Sequence, residues 1–239
     1  MSSPELEALL NVQGHDTRLD QLRHQLDTLA ERTARDEVRA LVAQVDVQIE
    51  ATASQRDEIA RRQNRIDDEV ESLKAKRDGF DKKLYSGEVS NPRELQDLQE
   101  EIDSLGRRIT KLEDDELEVM AEAEPVDERL LSLKDALAQR QQELASAENL
   151  LTAAEAEIAV QIDAESELRQ ACAEPVSAGV LDEYEKLRAG LGGVGVSKLI
   201  GTQCGGCHLT LSAMDVARIK KLPDGEFDHC EECGRILVP

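Results

Sequence analysis

The chain has no tryptophan and only two tyrosines and two phenylalanines, so aromatic residues make up 2% of its 239 positions. Large rings supply much of the buried area in ordinary cores, and their scarcity argues against one compact sphere. Positive charge is also short: 29 Lys and Arg stand against 51 Asp and Glu, for a net charge of −22. No stretch approaches the roughly 20 apolar residues of a membrane span. The opening residues, Met1 to Glu7, lack the basic region and apolar run of an export signal. Cysteine is missing from the first 171 positions, and four of the five cysteines sit in two C-x₂-C pairs near the end. That pattern reads as metal ligands in a reducing compartment rather than as disulfides. The expectation is a cytoplasmic protein with no membrane contact.

What remains is rich in Leu, Ala, Glu, Gln and Arg, a mixture that favours long solvated helices. Apolar residues recur with a spacing near 3.5. Leu19, Leu22, Leu26 and Leu29 start the pattern; it weakens near Thr33 and resumes through Val38, Val45, Ile59, Ile66, Val70 and Leu73. A second run, from Leu95, Leu98, Ile102, Leu105 and Ile109 to Leu151 and Ile158, alternates by three and four. This is the coiled-coil signature. Pro125 lies inside the second run and removes one helical hydrogen bond, so a kink or short break is expected there.

Between the runs, Tyr85 to Pro92 reads as a tip. Gly87 can take positive φ, and Asn91 or Ser90 can cap a helix that opens at Pro92. Leu6 to Leu84 and Pro92 to Gln170 span the same number of residues. Equal arms point to an antiparallel hairpin of roughly 115 Å, with partners near Leu105 and Ser72. A parallel dimer of long helices is the rival arrangement. The fold class expected is therefore mainly α, a long coiled-coil hairpin over 1–173, then a connecting helix and Gly-rich hinge over 174–195. A small β-rich zinc ribbon over 196–239 completes it. Cys172 falls on the apolar phase and reads as a small buried hydrophobe.

In the ribbon, Cys204 and Cys207 form one pair, Cys230 and Cys233 the other. Each C-x₂-C makes a knuckle, and two knuckles complete a sulfur tetrahedron around one structural Zn²⁺, with iron as the lesser alternative. Gly205, Gly206 and Gly234 are expected to supply permissive turns. His208 and His229 read as groups beside the site, since four cysteines already fill it. With zinc held by four thiolates, unfolding of the tail in a Cys207→Ser or Cys233→Ser variant is expected to spare the arm.

Cys204-Gly-Gly-Cys-His and Cys230-Glu-Glu-Cys-Gly-Arg-Ile-Leu-Val, with the tip Tyr85-Ser-Gly-Glu-Val-Ser-Asn-Pro-Arg-Glu-Leu, resemble bacterial C4-type zinc-ribbon proteins with an N-terminal coiled-coil hairpin. The resemblance implies a non-enzymatic protein that binds nucleic acid, transcription-associated proteins, or both. The sequence has no phosphate-binding glycine loop and no catalytic set, so neither catalysis nor a small-molecule substrate is expected. Residues 190–239 hold five basic and six acidic groups, whereas the first 189 hold 24 and 45. Only the ribbon could tolerate DNA or RNA, and its densest basic group is Arg218, Lys220 and Lys221. Two functions stay open. One is an adaptor whose coil binds protein and whose ribbon contacts nucleic acid; the other is a protein–protein scaffold in which zinc is only structural.

Overall fold

The computed structural model describes residues 4–223 and 226–239. In chain order the elements are α1 (Pro4–Asp27), α2 (Ala30–Tyr85), α3 (Pro92–Ala173), α4 (Ala178–Gly190), β1 (Val196–Ile200), β2 (Gln203–Cys204), α5 (Ala213–Lys220), β3 (Asp228–His229) and β4 (Ile236–Val238). The chain divides into two compact units, one of residues 35–146 and one combining residues 1–34 with 147–239.

The 35–146 unit is an antiparallel helix pair. Ile59, Val119, Ala123 and Val126 form one buried cluster along its seam, and Val70, Leu73, Leu105 and Ile109 another. Leu105 thus lies beside the Ser72 region, as a folded-back arm requires. Ion pairs cross the seam in the same sense: Arg56 meets Asp127 at 2.7 Å, Arg62 meets Glu122 at 2.5 Å, and Glu69 meets Arg108 at 2.6 Å. The tip closes as the sequence demands. Gly87 has φ 76, and Asn91 Oδ1 accepts the Arg93 amide at 3.0 Å, with Pro92 as the first helical residue. At Pro125, α3 continues without a break. The apolar seam on both sides holds the helix through the one missing amide donor.

In the other unit the first arm is interrupted at Thr28–Leu29, earlier than the weak phase at Thr33 indicates. Thr28 donates both its amide, at 3.0 Å, and its hydroxyl, at 2.7 Å, to the His24 carbonyl. The amide bond is the ordinary helical one; the hydroxyl bond shares its acceptor and, as such back-bonding does, weakens the helix there. The sheet has the order β2-β1-β4-β3, with β1 and β4 parallel and the outer pairs antiparallel. Its strands alternate between two cores. Val196, Ile236 and Val238 pack with Leu6, Leu9 and Val12 of α1 and Tyr184 of α4. Leu199 and Leu237 pack on the opposite side with Val216 and Ile219 of α5 and with Cys204 and Cys230. Val180, Leu181 and Leu187 of α4 pack against the first core, as does half-buried Cys172.

Polar groups fasten α1 to the glycine-rich segment. Gln13 donates to the Gly193 carbonyl at 3.0 Å and accepts the Gly195 amide at 2.7 Å. Buried Asp16 accepts from the Tyr184 hydroxyl at 2.7 Å and from Arg169 at 3.1 Å. Arg169 also reaches Glu185, and Arg188 donates to Asp20 at 2.7 Å.

Candidate metal centre

The four cysteines converge because two similar turns face each other. In the first, the His208 amide donates to the Cys204 carbonyl at 2.8 Å; in the second, the Gly234 amide donates to the Cys230 carbonyl at 2.7 Å. The residue after each second cysteine is left-handed, with φ 61 at His208 and φ 74 at Gly234. Glycine meets that demand without strain, and His is among the side chains that tolerate it. Gly205 and Gly206 serve a different purpose from the one read in sequence. A Cβ at Gly205 would lie 2.8 Å from the Lys198 carbonyl oxygen, and one at Gly206 would lie 2.6 Å from Arg235 Cδ. Close approach, not positive φ, requires glycine there.

All four Sγ atoms lie within 4.8 Å of one another. Cys204 to Cys233 and Cys207 to Cys230 are each 3.9 Å. Four thiolates at about 2.3 Å from a tetrahedral Zn²⁺ would be about 3.8 Å apart, so the cluster has the size of a closed tetrathiolate site. The surroundings favour negative charge on one sulfur in particular. Burial opposes a Cys204 thiolate, but the Ser197 hydroxyl and the Cys207 and Gly206 amides outweigh it and lower the pKa to about 7. Gly206 N and Ser197 Oγ each lie 3.4 Å from that sulfur. Cys230 is pushed up to about 12, chiefly by burial, so in the metal-free cluster it stays a thiol. A bound cation would reverse that preference.

His208 is exposed, and His229 lies 3.0 Å from Glu183 and edge-on to Phe227; neither belongs to the sulfur cluster. Of the basic residues, Arg218 is the most engaged. Its guanidinium meets Asp215 at 3.0 Å, Glu231 at 3.1 Å, and Asp228. Glu231 sits between the second pair of cysteines, so Arg218 ties α5 to that knuckle. Lys220 and Lys221 are exposed and form no ion pair among the described residues. Arg235 donates to the carbonyls of Val194 at 3.0 Å and Leu191 at 2.9 Å, fastening the hinge to the ribbon. Charge alone could not distinguish Arg235 from a phosphate contact; its neighbours in the fold do. Ser197 was also not evident from sequence, since a serine in a strand carries no ligand signal.

Comparison with known proteins agrees with this architecture. The Mycobacterium tuberculosis protein Rv2229c is 35% identical over 161 residues, 66% of this chain and 64% of that protein. The chain thus spans somewhat less than two thirds of that relative. Mycobacterium leprae ML1638 is 29% identical over 158 residues, 66% of this chain and 68% of the relative. A solved structure from Mycobacterium smegmatis superposes with TM-score 0.87 at 25% identity, covering 100% of this chain and 99% of that one. CT398 from Chlamydia trachomatis shares the fold, with TM-score 0.72 at 17% identity and coverage of 98% and 96%. Residues 203–237 match the C4-type zinc ribbon domain. Over residues 12–192 the match is to the CT398-like coiled coil hairpin domain, and the chain belongs to that family.

Proposed function

We propose that this chain is a non-enzymatic adaptor, stabilised by one structural Zn²⁺ on Cys204, Cys207, Cys230 and Cys233, that works by gripping other proteins in a reducing, cytoplasmic setting. Four protein ligands complete a tetrahedron and leave no position for a reactive water. The observation that carries the protein-binding reading lies on the ribbon. Residues 199–214 contain no Asp, Glu, Lys or Arg in a chain that is 33% charged. Within that run Ile200, Leu209 and Met214 are 64%, 49% and 78% exposed. Uncharged surface bearing large apolar side chains suits a protein partner better than a phosphate backbone. Arg218 and Arg235, meanwhile, are engaged within the fold.

Lys220 and Lys221 favour a second reading, in which the ribbon touches DNA or RNA through phosphates. A photo-crosslinking residue placed at Ile200 or Met214 of the full chain, expressed in bacteria, separates the two. Discrete protein adducts that disappear in Cys233→Ser support the adaptor. Adducts to nucleic acid, with low-salt RNA or DNA binding that weakens in Lys220→Gln/Lys221→Gln, refute it in favour of the second reading. The full chain is the proper reagent, because β1 and β4 share their core with α1.

A further inference from the structure

The adaptor reading leaves the partner of the arm undefined, and one face of the 35–146 unit narrows it. Along α3, residues 112–128 contain nine carboxylates and no Lys or Arg. On the same stretch, away from the buried seam of Val119, Ala123 and Val126, Leu117 is 64% and Met120 48% exposed, and Leu131 follows at 65%. Positions 117, 120, 124, 128 and 131 return to one helix face, so they form a second stripe beside the first. Met120, Glu124, Glu128 and Leu131 line a groove of about 860 Å³ whose far wall includes Arg56 and Gln63 of α2.

Three cations from α2 offset part of the acidic run. Lys74 meets Glu113 at 2.6 Å, Arg62 meets Glu122, and Arg56 meets Asp127. Glu124 and Glu128 have no such partner among the described residues. Farther along, Glu116 faces Asp67 carboxylate to carboxylate, and desolvation, then the Asp67 charge, raises its pKa. A neighbouring cation would relieve that contact. Pro125 contributes too: it has no amide proton, so the Ala121 carbonyl at the groove lacks the donor that position i+4 normally supplies.

We propose that this groove is the docking site for a basic amphipathic helix of a partner protein. Its apolar residues would cover Leu117, Met120 and Leu131, and its Lys or Arg would face Glu124 and Glu128. The proposal rests on the adaptor reading and specifies the chemistry of the arm's partner. Leu117 to Leu131 covers roughly 21 Å of helix, so about four turns of the partner fill the stripe. Charge selects the occupant. A second copy would bring its own acidic stripe against this one, whereas a cationic helix is drawn to it.

The test uses the full chain and a fluorescein-labelled synthetic helix of about 21 residues, Leu on one face and Lys elsewhere. A Leu/Glu peptide of the same pattern is its control. Leu117→Gln/Met120→Gln/Leu131→Gln should weaken binding about tenfold or more. Leu150→Gln/Val160→Gln, at sites 63% and 68% exposed on the same helix, should leave it nearly unchanged. Glu124→Gln/Glu128→Gln should weaken low-salt binding several-fold and flatten its salt dependence. Unchanged circular dichroism confirms that each variant remains folded. Equal weakening by the two apolar sets, equal binding of the Leu/Glu peptide, or no peptide binding at low salt overturns the proposal. So does wild-type self-association that the triple variant abolishes, because the occupant is then a second copy. These outcomes remove this site alone; the adaptor reading fails separately, if the ribbon crosslinks go to nucleic acid.

Discussion

Asp16 offers the sharpest test of how the ribbon is held. Its side chain is 5% exposed and accepts from the hydroxyl of Tyr184, a fully buried residue, at 2.7 Å. Asp16→Ala leaves that hydroxyl without its acceptor, a loss of about 1–3 kcal/mol. Arg169 and Arg188, whose side chains are 24% and 19% exposed, would keep Glu185 and Asp20 respectively. Because water and those partners compensate them, their share is about 1 kcal/mol. The expected total is about 2–4 kcal/mol. Asp16→Asn retains an acceptor and removes only the charge, so it should cost about 1–2 kcal/mol.

The scarcity of aromatics supplies the assay. Tyr184 and Tyr85 are the only tyrosines and there is no tryptophan; Tyr85, at the tip, is 82% exposed. In a Tyr85→Phe background, intrinsic fluorescence reports on Tyr184 alone. Urea titration should show the Tyr184 transition moving to lower denaturant in Asp16→Ala, with a smaller move in Asp16→Asn. A local probe is needed because a chain of two units has no single unfolding free energy. If Asp16→Ala changes stability by less than about 0.5 kcal/mol, the buried network does not hold α1 to α4 and the reasoning fails.

Three further outcomes are expected. Metal analysis of freshly reduced protein should give one zinc per chain, and chelation should perturb Tyr184 fluorescence, because β4, just after the second knuckle, shares a core with Tyr184; a silent Tyr184 would show that the knuckles and that core are independent. Spin labels at Ser72 and Ser104 should report neighbouring helices whose axes are about 10 Å apart; a separation of many tens of ångströms would exclude the antiparallel pair. Glu5 accepts the Ser177 amide at the start of α4, which lowers its pKa from 4.5. With the folded value depressed, its contribution is present above the unfolded value and lost as pH falls through the folded one. Protection factors of the first α4 amides, corrected for intrinsic exchange, should therefore fall below about pH 4, and Glu5→Gln should remove that fall.

The hairpin was legible in sequence because its signal is a repeat. Ile59, Val70, Leu105 and Val119 each sit on a heptad phase that extends over many turns, and a phase error would expose a whole stripe. The cysteine cluster was legible for a different reason: two short spacings and an obligate geometry leave few arrangements. Gln13, Asp16 and Asp20 were not legible. In sequence they look like the polar positions of any solvated coil, yet in the fold Gln13 and Asp16 are buried against residues about 150 to 180 positions away. Periodicity identifies an outward face only relative to one partner. Within its own unit α1 has a second partner, and its polar face becomes an interior one. Arg218 is the opposite case: beside two lysines in sequence it looks like a free cation, and its pairing with Asp228 and Glu231 shows only once the knuckle brings them beside it.

The same second partner bears on how so small a ribbon stays folded. A unit of this size has too much surface for its volume to be stable on apolar burial alone. Here β4 lies between two supports. Leu237 points to the core shared with Cys204 and Cys230, whereas Ile236 and Val238 point to the core shared with Leu6, Leu9 and Val12. Three consecutive residues therefore join the metal-ligating layer to the helical layer, and the alternation of a strand is the reason one short segment can do so. A change on either side reaches the other through β4. Loss of the sulfur cluster loosens Leu237 and with it the register of Ile236 and Val238; loss of α1 uncovers those two residues and frees the strand that follows Cys233. Unfolding of the ribbon is therefore expected to spare the 35–146 unit, whose seam is built from its own Ile59, Val70, Leu105 and Val119, and to reach α1 through β4.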